Sequence, residues 1–144
     1  ESGGHDIGIT MYGDNNQLGV QQTNQTGASD GHNFDLHLAG DDNKVLIKQQ
    51  SNGRKNTDLT IYNDSNDVFI RQKGTGATHN ATVTLDGLYG TDFSLIQMSN
   101  TNQTYTISVD CLTVGGCSTS VTQDWVLKTT AIIFGENTDP ETPA

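Results

Sequence analysis

Apolar and polar residues alternate along most of this chain, and short polar turns interrupt the alternation at regular intervals. Five units can be aligned. In each, apolar residues occupy every second position of two short stretches, a turn rich in Gly, Asn and Asp separates the stretches, and Gln closes the unit. Alternation with a period of two predicts β-strands, so each unit is predicted to form a strand, a turn and a strand. A unit that recurs every 23 to 27 residues is typical of a chain that stacks on itself.

The alternating apolar positions of the five units define the predicted core. Only 32% of the residues are hydrophobic and the mean hydropathy is −0.52, values that would favour disorder if the apolar residues were scattered. Because nearly all of them fall in the repeated positions, the sequence instead predicts a thin, regular core. The predicted core residues are Ile7, Ile9, Met11, Leu18, Val20, Phe34, Leu36, Leu38, Val45, Ile47, Leu59, Ile61, Val68, Ile70, Val83, Leu85, Phe93, Leu95, Tyr105, Ile107, Val109 and Val121.

Two kinds of amide recur at fixed positions. Gln closes the five units at Gln22, Gln49, Gln72, Gln97 and Gln123, and Asn follows the turn at Asn16, Asn43 and Asn66. Identical amides one strand apart, at about 4.8 Å, can hydrogen-bond to each other along a stack. A meander of hairpins in a sandwich or barrel would gain nothing from their identity. The sequence therefore favours an all-β fold, a β-solenoid of five strand-turn-strand rungs, with turns at Gly13, Gly40 and Gly87.

The repeats divide the chain into four segments. Residues 1–4 form a polar N-terminal arm, and residues 5–123 hold the repeats, with units at about 5–29, 30–54, 55–78, 79–102 and 103–123. Residues 124–134 are apolar and alternating but do not fit the repeat. Two alternatives stay open for this segment: it folds over rung five as a cap, or it pairs as an extra strand at the junction with the next subunit. Its junction residues are Trp125, Leu127, Ile132, Ile133 and Phe134. Residues 135–144 are an acidic tail, predicted to be disordered.

Charge and cysteine content narrow the class of protein. A net charge of −10 argues against nucleic acid and against an anionic membrane surface as partners. Cys111 and Cys117 stand at facing ends of one predicted turn, so we expect a disulfide and an oxidising compartment. The sequence holds no apolar run long enough to insert into a membrane. Since it begins at Glu1 without an apolar leader, we expect a mature, exported protein.

The unit resembles the curlin repeat of bacterial curli subunits, Ser-x5-Gln-x-Gly-x2-Asn-x-Ala-x3–5-Gln. The resemblance covers about residues 5–123: the Gly, Asn and closing Gln positions of that motif match the glycines, asparagines and glutamines named above. The first Gln of the motif is replaced by apolar residues, and the opening Ser position carries His5, His32, Lys55, His79 and Gln103. These departures indicate a curlin-like protein of another lineage.

The resemblance implies secretion through outer-membrane export machinery, a nucleator subunit as partner and a place in a cell-surface fibre of the biofilm matrix. The residues of the first rung support such a fibre, because residues 7–11 and 18–22 contain no charge and no proline to blunt an open edge. Head-to-tail contact between such ends does not close, so it would build a cross-β filament, a functional amyloid. We therefore expect a structural subunit that polymerises with itself by β-strand addition and serves in surface adhesion.

Other classes of function have weaker support in the sequence. No constellation of catalytic residues is present, so we expect no enzyme, no cofactor and no dedicated metal site. His5, His32 and His79 share one repeat position and are expected to be solvated or stacked, with weak metal binding as the lesser alternative. The main rival is a monomeric secreted solenoid that binds carbohydrate, ice or calcium. Its sign would be an outward column, here Thr10, Thr60, Thr84 and Thr106, with His37 in the second rung.

Overall fold

The structure is a computed structural model that describes residues 5–25, 32–51, 53–62, 64–73, 78–88, 90–98, 102–112, 116–124 and 129–134; at 24, 25, 51, 123, 124 and 129–134 it describes the backbone. These residues contain eleven strands: β1 (Asp6–Tyr12), β2 (Leu18–Gln25), β3 (His32–Ala39), β4 (Val45–Ser51), β5 (Lys55–Tyr62), β6 (Val68–Lys73), β7 (His79–Gly87), β8 (Phe93–Met98), β9 (Gln103–Cys111), β10 (Thr119–Asp124) and β11 (Thr129–Phe134).

The strands form two parallel sheets that face each other. The first sheet has the order β1-β3-β5-β7-β9-β11, and the second has the order β2-β4-β6-β8-β10. Every paired strand therefore belongs to the rung before or after, and each rung contributes one strand to each sheet. This is the all-β parallel solenoid of strand-turn-strand rungs that the repeats predicted.

Equivalent positions of successive rungs lie directly beside one another. In the second sheet, Val20 pairs with Ile47, Ile47 with Ile70, Ile70 with Leu95 and Leu95 with Val121. The first sheet keeps the same alignment from β1 to β9. Because side chains alternate between the two faces of a strand, this register sends the aligned core rows inward and the intervening rows outward.

The core is a narrow layer between the two sheets. Interior rungs bury their inward side chains completely, including Phe34, Leu38, Ile47, Leu59, Ile61 and Ile70. Thr57 and Ala81 fill the same inward column as Phe34 and Tyr105 and are buried too. The first rung is different, because the described chain places no rung beyond it. Its inward apolar residues pack on the core but are only partly buried; they are Ile7, Ile9, Met11, Leu18 and Val20.

The last strand adds half a rung to the stack. β11 pairs in parallel with β9, from Thr129 beside Tyr105 to Phe134 beside Asp110, whereas the second sheet ends at β10. Ile132 and Ile133 therefore lie in a strand that extends the first sheet. Trp125 and Leu127, which the sequence assigned to the same junction, lie outside the described residues, as do segments 1–4 and 135–144.

The turn that joins the two strands of a rung packs closely against the turn of the neighbouring rung. Gly13 and Gly40 have φ angles of 40° and 76°, and the aspartates that follow them, Asp14 and Asp41, are left-handed as well. The tightest approach is at Gly90, where φ is 85°. A Cβ atom there would overlap the carbonyl oxygen of Asp64 and lie 2.8 Å from the amide nitrogen of Asn66.

We predict that Gly90→Ala lowers the free energy of unfolding by about 3 kcal/mol, because the methyl group meets backbone atoms that cannot move aside and φ is positive. Gly19→Ala is the matched control, since no atom lies within 4 Å of its Cβ position in β2. Alanine is slightly better than glycine in a strand, so this variant should be neutral or marginally stabilised. Urea unfolding followed by circular dichroism measures both, and equal stability of the two variants would contradict the packing described for Gly90.

Candidate functional site

A column of glutamines runs through the interior of the solenoid. Gln49 donates from Nε2 to Oε1 of Gln22 at 2.8 Å, Gln72 to Gln49 at 2.9 Å and Gln97 to Gln72 at 2.7 Å. All four side chains are buried. The bonds run in one direction: Gln49 and Gln72 each accept from the glutamine of the following rung and donate to the glutamine of the preceding rung. The backbone of Gln123 continues this column beside Gln97, and its side chain is outside the described atoms.

Each glutamine also ties the second sheet to the first. Besides bonding to its neighbour in the column, Nε2 of Gln49 donates to the carbonyl oxygen of Asn56 at 2.9 Å, and Nε2 of Gln72 donates to that of Asn80 at 2.9 Å. In the first rung, Nε2 of Gln22 donates to the carbonyl oxygens of Asn33 at 3.0 Å and His5 at 3.3 Å. The glutamine column therefore fixes both the stacking of rungs and the contact between sheets.

A second column braces the turns. Asn43 donates from Nδ2 to Oδ1 of Asn16 at 2.7 Å, and Asn66 does the same to Asn43 at 2.6 Å. Nδ2 of Asn43 also reaches back across its own turn to the carbonyl oxygen of Gly40, at 3.0 Å. Asn16 and Asn43 thus close their own turns, and Asn43 and Asn66 each bond to the asparagine of the preceding rung.

A disulfide takes over this role in the fifth rung. Cys111 lies beside Gly87 in the first sheet, and Cys117 stands two residues before β10, the place that Asn66 holds before β6. Their Cα atoms are 5.9 Å apart and the sulfurs are bonded. The amide N–H of Cys117 also donates to the carbonyl oxygen of Gly90 at 2.9 Å. The turn of the fifth rung, which has no asparagine, is therefore closed by a covalent bond.

Replacing the central glutamine tests how much the column contributes. We predict that Gln72→Leu lowers the free energy of unfolding by about 3 kcal/mol, because Gln97 and the carbonyl oxygen of Asn80 then lose a partner in a dry interior. Gln21→Leu is the matched control, since Gln21 is exposed on the outer face of β2. Chemical unfolding of both variants gives the comparison. A loss that is no larger for Gln72→Leu than for Gln21→Leu would mean that the column is not a stabilising feature.

A third column, at the opening position of the units, is ionisable. It consists of His5, His32, Lys55, His79 and Gln103, in that order along the first sheet. His32, Lys55 and His79 are completely buried, whereas His5 is exposed at the open end. Repeat spacing predicted that these residues share one column. It did not predict that the column is buried, because polar and ionisable side chains are normally exposed to solvent. Nζ of Lys55 donates to the carbonyl oxygen of Gly53 at 2.6 Å.

Burial disfavours the charged forms of the histidine and lysine side chains in this column. It lowers the pKa of Lys55 to about 8, and burial together with repulsion by Lys55 lowers the pKa of His79 to about 4. The pKa of His32 is lowered as well, mainly by burial, although its hydrogen bond to the backbone of Gln50 acts in the opposite direction. Neither ring nitrogen of His79 has a hydrogen-bond partner among the described residues. His79 is therefore a neutral, buried imidazole and not the solvated or stacked side chain expected for this position.

Acid should destabilise the fold through His79. Because its pKa is lower in the folded chain than the usual 6.5, the unfolded chain binds more protons between about pH 6.5 and pH 4, and stability falls as the pH falls through that range. We predict that His79→Gln removes on the order of 2 to 3 kcal/mol of this loss at pH 4. Glutamine already occupies the same column at position 103.

The matched control for this pH dependence is His37→Gln, since His37 is exposed on the outer face against Tyr62, at 5.1 Å between ring centroids. Its stability should follow the pH profile of the unmodified chain. Unfolding midpoints measured at intervals from pH 4 to pH 7.5 decide the matter. Parallel profiles for His79→Gln and the unmodified chain would show that His79 does not carry the acid sensitivity.

The outer faces of the sheets correct one prediction. Thr10, His37, Thr60 and Thr84 do share an outward column, but the next member is Ser108. Thr106 lies beside Thr82 in the neighbouring column, two residues away, so its placement with the other threonines was wrong. The column therefore lacks the uninterrupted threonine ladder expected of an ice-binding face.

The described residues show few other sites. They contain no group of three or more His, Cys, Asp or Glu side chains arranged to hold a metal ion. No helix in the same part of the chain is long and apolar enough to cross a membrane. One exposed ion pair joins Lys44 and Asp67 at 2.8 Å. The distinctive surface is therefore the open end of the stack, where β1 and β2 have a described partner strand on one edge only.

Comparison of the chain with protein-family models, with curated proteins and with solved structures finds no match. The stacked, buried asparagine and glutamine columns are nevertheless consistent with curlin-like repeats.

Proposed function

We propose that this chain is the structural subunit of an extracellular, curli-like fibre and that it polymerises head to tail by β-strand addition. The observation that carries the proposal is the state of the first rung. Its apolar row has the spacing and register of the buried rows above it, but Ile7, Ile9 and Met11 are only partly buried. One more rung placed on this face would complete their burial and satisfy the free edges of β1 and β2.

A second copy of the chain can supply such a rung. Successive rungs within the chain already pair in parallel through aligned columns, and the first sheet can continue this pairing from one copy to the next. The two ends of the stack differ, which makes the contact heterologous, and a heterologous contact between parallel rungs extends without closing. The first rung presents two uncharged strand segments, residues 7–11 and 18–22, at this end of the stack. Such segments offer little protection against the addition of another strand.

The half-rung at the other end defines how the copies would meet. β11 extends one strand further than β10, so its outer edge is the first one that another copy encounters. We propose that β1 of the next copy pairs with this edge, which makes β11 a junction strand. The alternative role, a cap that displaces the incoming strand, predicts the opposite effect of removing it.

The resemblance to curlin repeats suggests the setting of the fibre. A curlin-like subunit would leave the cell through outer-membrane export machinery, begin growth on a nucleator subunit and serve in biofilm matrix and adhesion. The disulfide between Cys111 and Cys117 suits an oxidising, extracellular environment. The net charge of −10 would keep the chain soluble until it is exported and assembled.

Polymerisation can be tested directly with one substitution and a control on the same strand. Purified chain at neutral pH should form sedimentable fibres that give a meridional reflection near 4.8 Å in diffraction. Ile9→Lys should slow elongation roughly tenfold or more, because it places a charge in the contact between copies. Thr10→Lys adds the same charge on the exposed outer face and should elongate much like the unmodified chain.

Two results would contradict the fibre proposal. One is that the chain remains monomeric in analytical ultracentrifugation after prolonged incubation, as expected of a binding module. The other is equal elongation of the Ile9→Lys and Thr10→Lys variants.

A chain that ends at residue 124 then distinguishes the roles of β11, since loss of a junction strand slows elongation and loss of a cap accelerates it.

A further inference from the structure

We propose that His5 and His32 form a two-imidazole binding site for a divalent transition metal ion such as Zn²⁺ at the open end of the solenoid. The Nδ1 atoms of the two rings are 3.3 Å apart. The ring centroids are 5.4 Å apart, about 2 Å more than the nitrogens, which is close to the sum of the two ring radii. The two Nδ1 atoms therefore point towards each other.

The surroundings of His32 determine which of its ring nitrogens can bind a metal ion. Its Nε2 atom lies 2.9 Å from the carbonyl oxygen of Gln50. A carbonyl oxygen only accepts hydrogen bonds, so Nε2 carries a proton and, in the neutral ring, Nδ1 carries the lone pair that faces His5. Histidines that bind metals have this arrangement, with one nitrogen on the ion and the other donating to a carbonyl or carboxylate oxygen.

The spacing of the two nitrogens also suits a metal ion. Two nitrogens that each lie about 2.0 to 2.1 Å from a tetrahedral Zn²⁺ ion are separated by roughly 3.3 Å. The ion can therefore take the place of the direct contact between the two nitrogens while His32 stays in place. His5 is exposed and can tilt to complete the coordination angle.

Space for the rest of the coordination shell lies next to His5. An open depression at this end is lined by His5, Asp6, Ile7, Gln21 and Gln22. Water can complete the shell from there, since two protein ligands leave two positions of a tetrahedral ion open. The carboxylate of Asp6 accepts a hydrogen bond from Nδ2 of Asn33 at 2.8 Å, so we do not count it as a ligand. Lys55, in the rung beyond His32, is the cation that opposes binding.

Zinc titration of the full chain with NMR detection tests the site. Long-range ¹H–¹⁵N spectra should show the Nδ1 signals of both His5 and His32 shifting until about one equivalent of Zn²⁺ is bound, with the signals of His37 and His79 unchanged. In calorimetric titrations, His5→Ala should weaken zinc binding roughly tenfold or more. His37→Ala, which removes an exposed histidine on the outer face, should leave it unchanged.

His5 is exposed at the end of the stack, so its removal should leave the circular dichroism spectrum intact. Three results would overturn the site: equal zinc binding by His5→Ala and the unmodified chain, shifts confined to His37, or no binding up to millimolar zinc. The site belongs to the single chain, so the titration uses freshly prepared monomer, before another copy can cover the face on which His5 lies.

Discussion

The fold depends on register, and the register is held by amide side chains in a dry interior. Apolar rows alone set the alternation of faces, but a slip by two residues would still place one aliphatic row on another. Gln49 and Gln72 cannot slide, because each donates both to the glutamine of the neighbouring rung and to a backbone carbonyl of the opposite sheet. Any slip would leave buried amides without partners, and this penalty is much larger than the net gain from forming such bonds.

This constraint explains why the described stack has incomplete ends. A rung that is stabilised by an identical neighbour on both sides is incomplete when it has a neighbour on one side. Interior residues such as Leu36 are fully buried, while Ile9, the same position one rung earlier, is partly exposed. The feature that makes the chain fold as a solenoid thus creates the surface that we propose for assembly, and no separate binding site had to be built.

The sequence predicted the repeat and its register, because both depend on spacing, which a sequence displays directly. It did not predict which polar residues are buried. His79 and Lys55 stand in a column whose polarity suggests solvent, yet the stacked rungs close over them. It also could not predict close approach between turns: the need for glycine at position 90 comes from the backbone of residues 64 and 66, one rung away. Thr106 was assigned two residues out of register because threonine occurs on both neighbouring outward columns.

Hydrogen exchange of the glutamine side-chain amides tests the central claim most directly. NMR of the single chain can compare Nε2 protons of Gln49 and Gln72 with those of Gln21 on the outer face. The stacked column predicts that the two interior amides exchange as slowly as the core backbone and show nuclear Overhauser contacts to one another. Exchange of Gln49 and Gln72 as fast as that of Gln21 would contradict it.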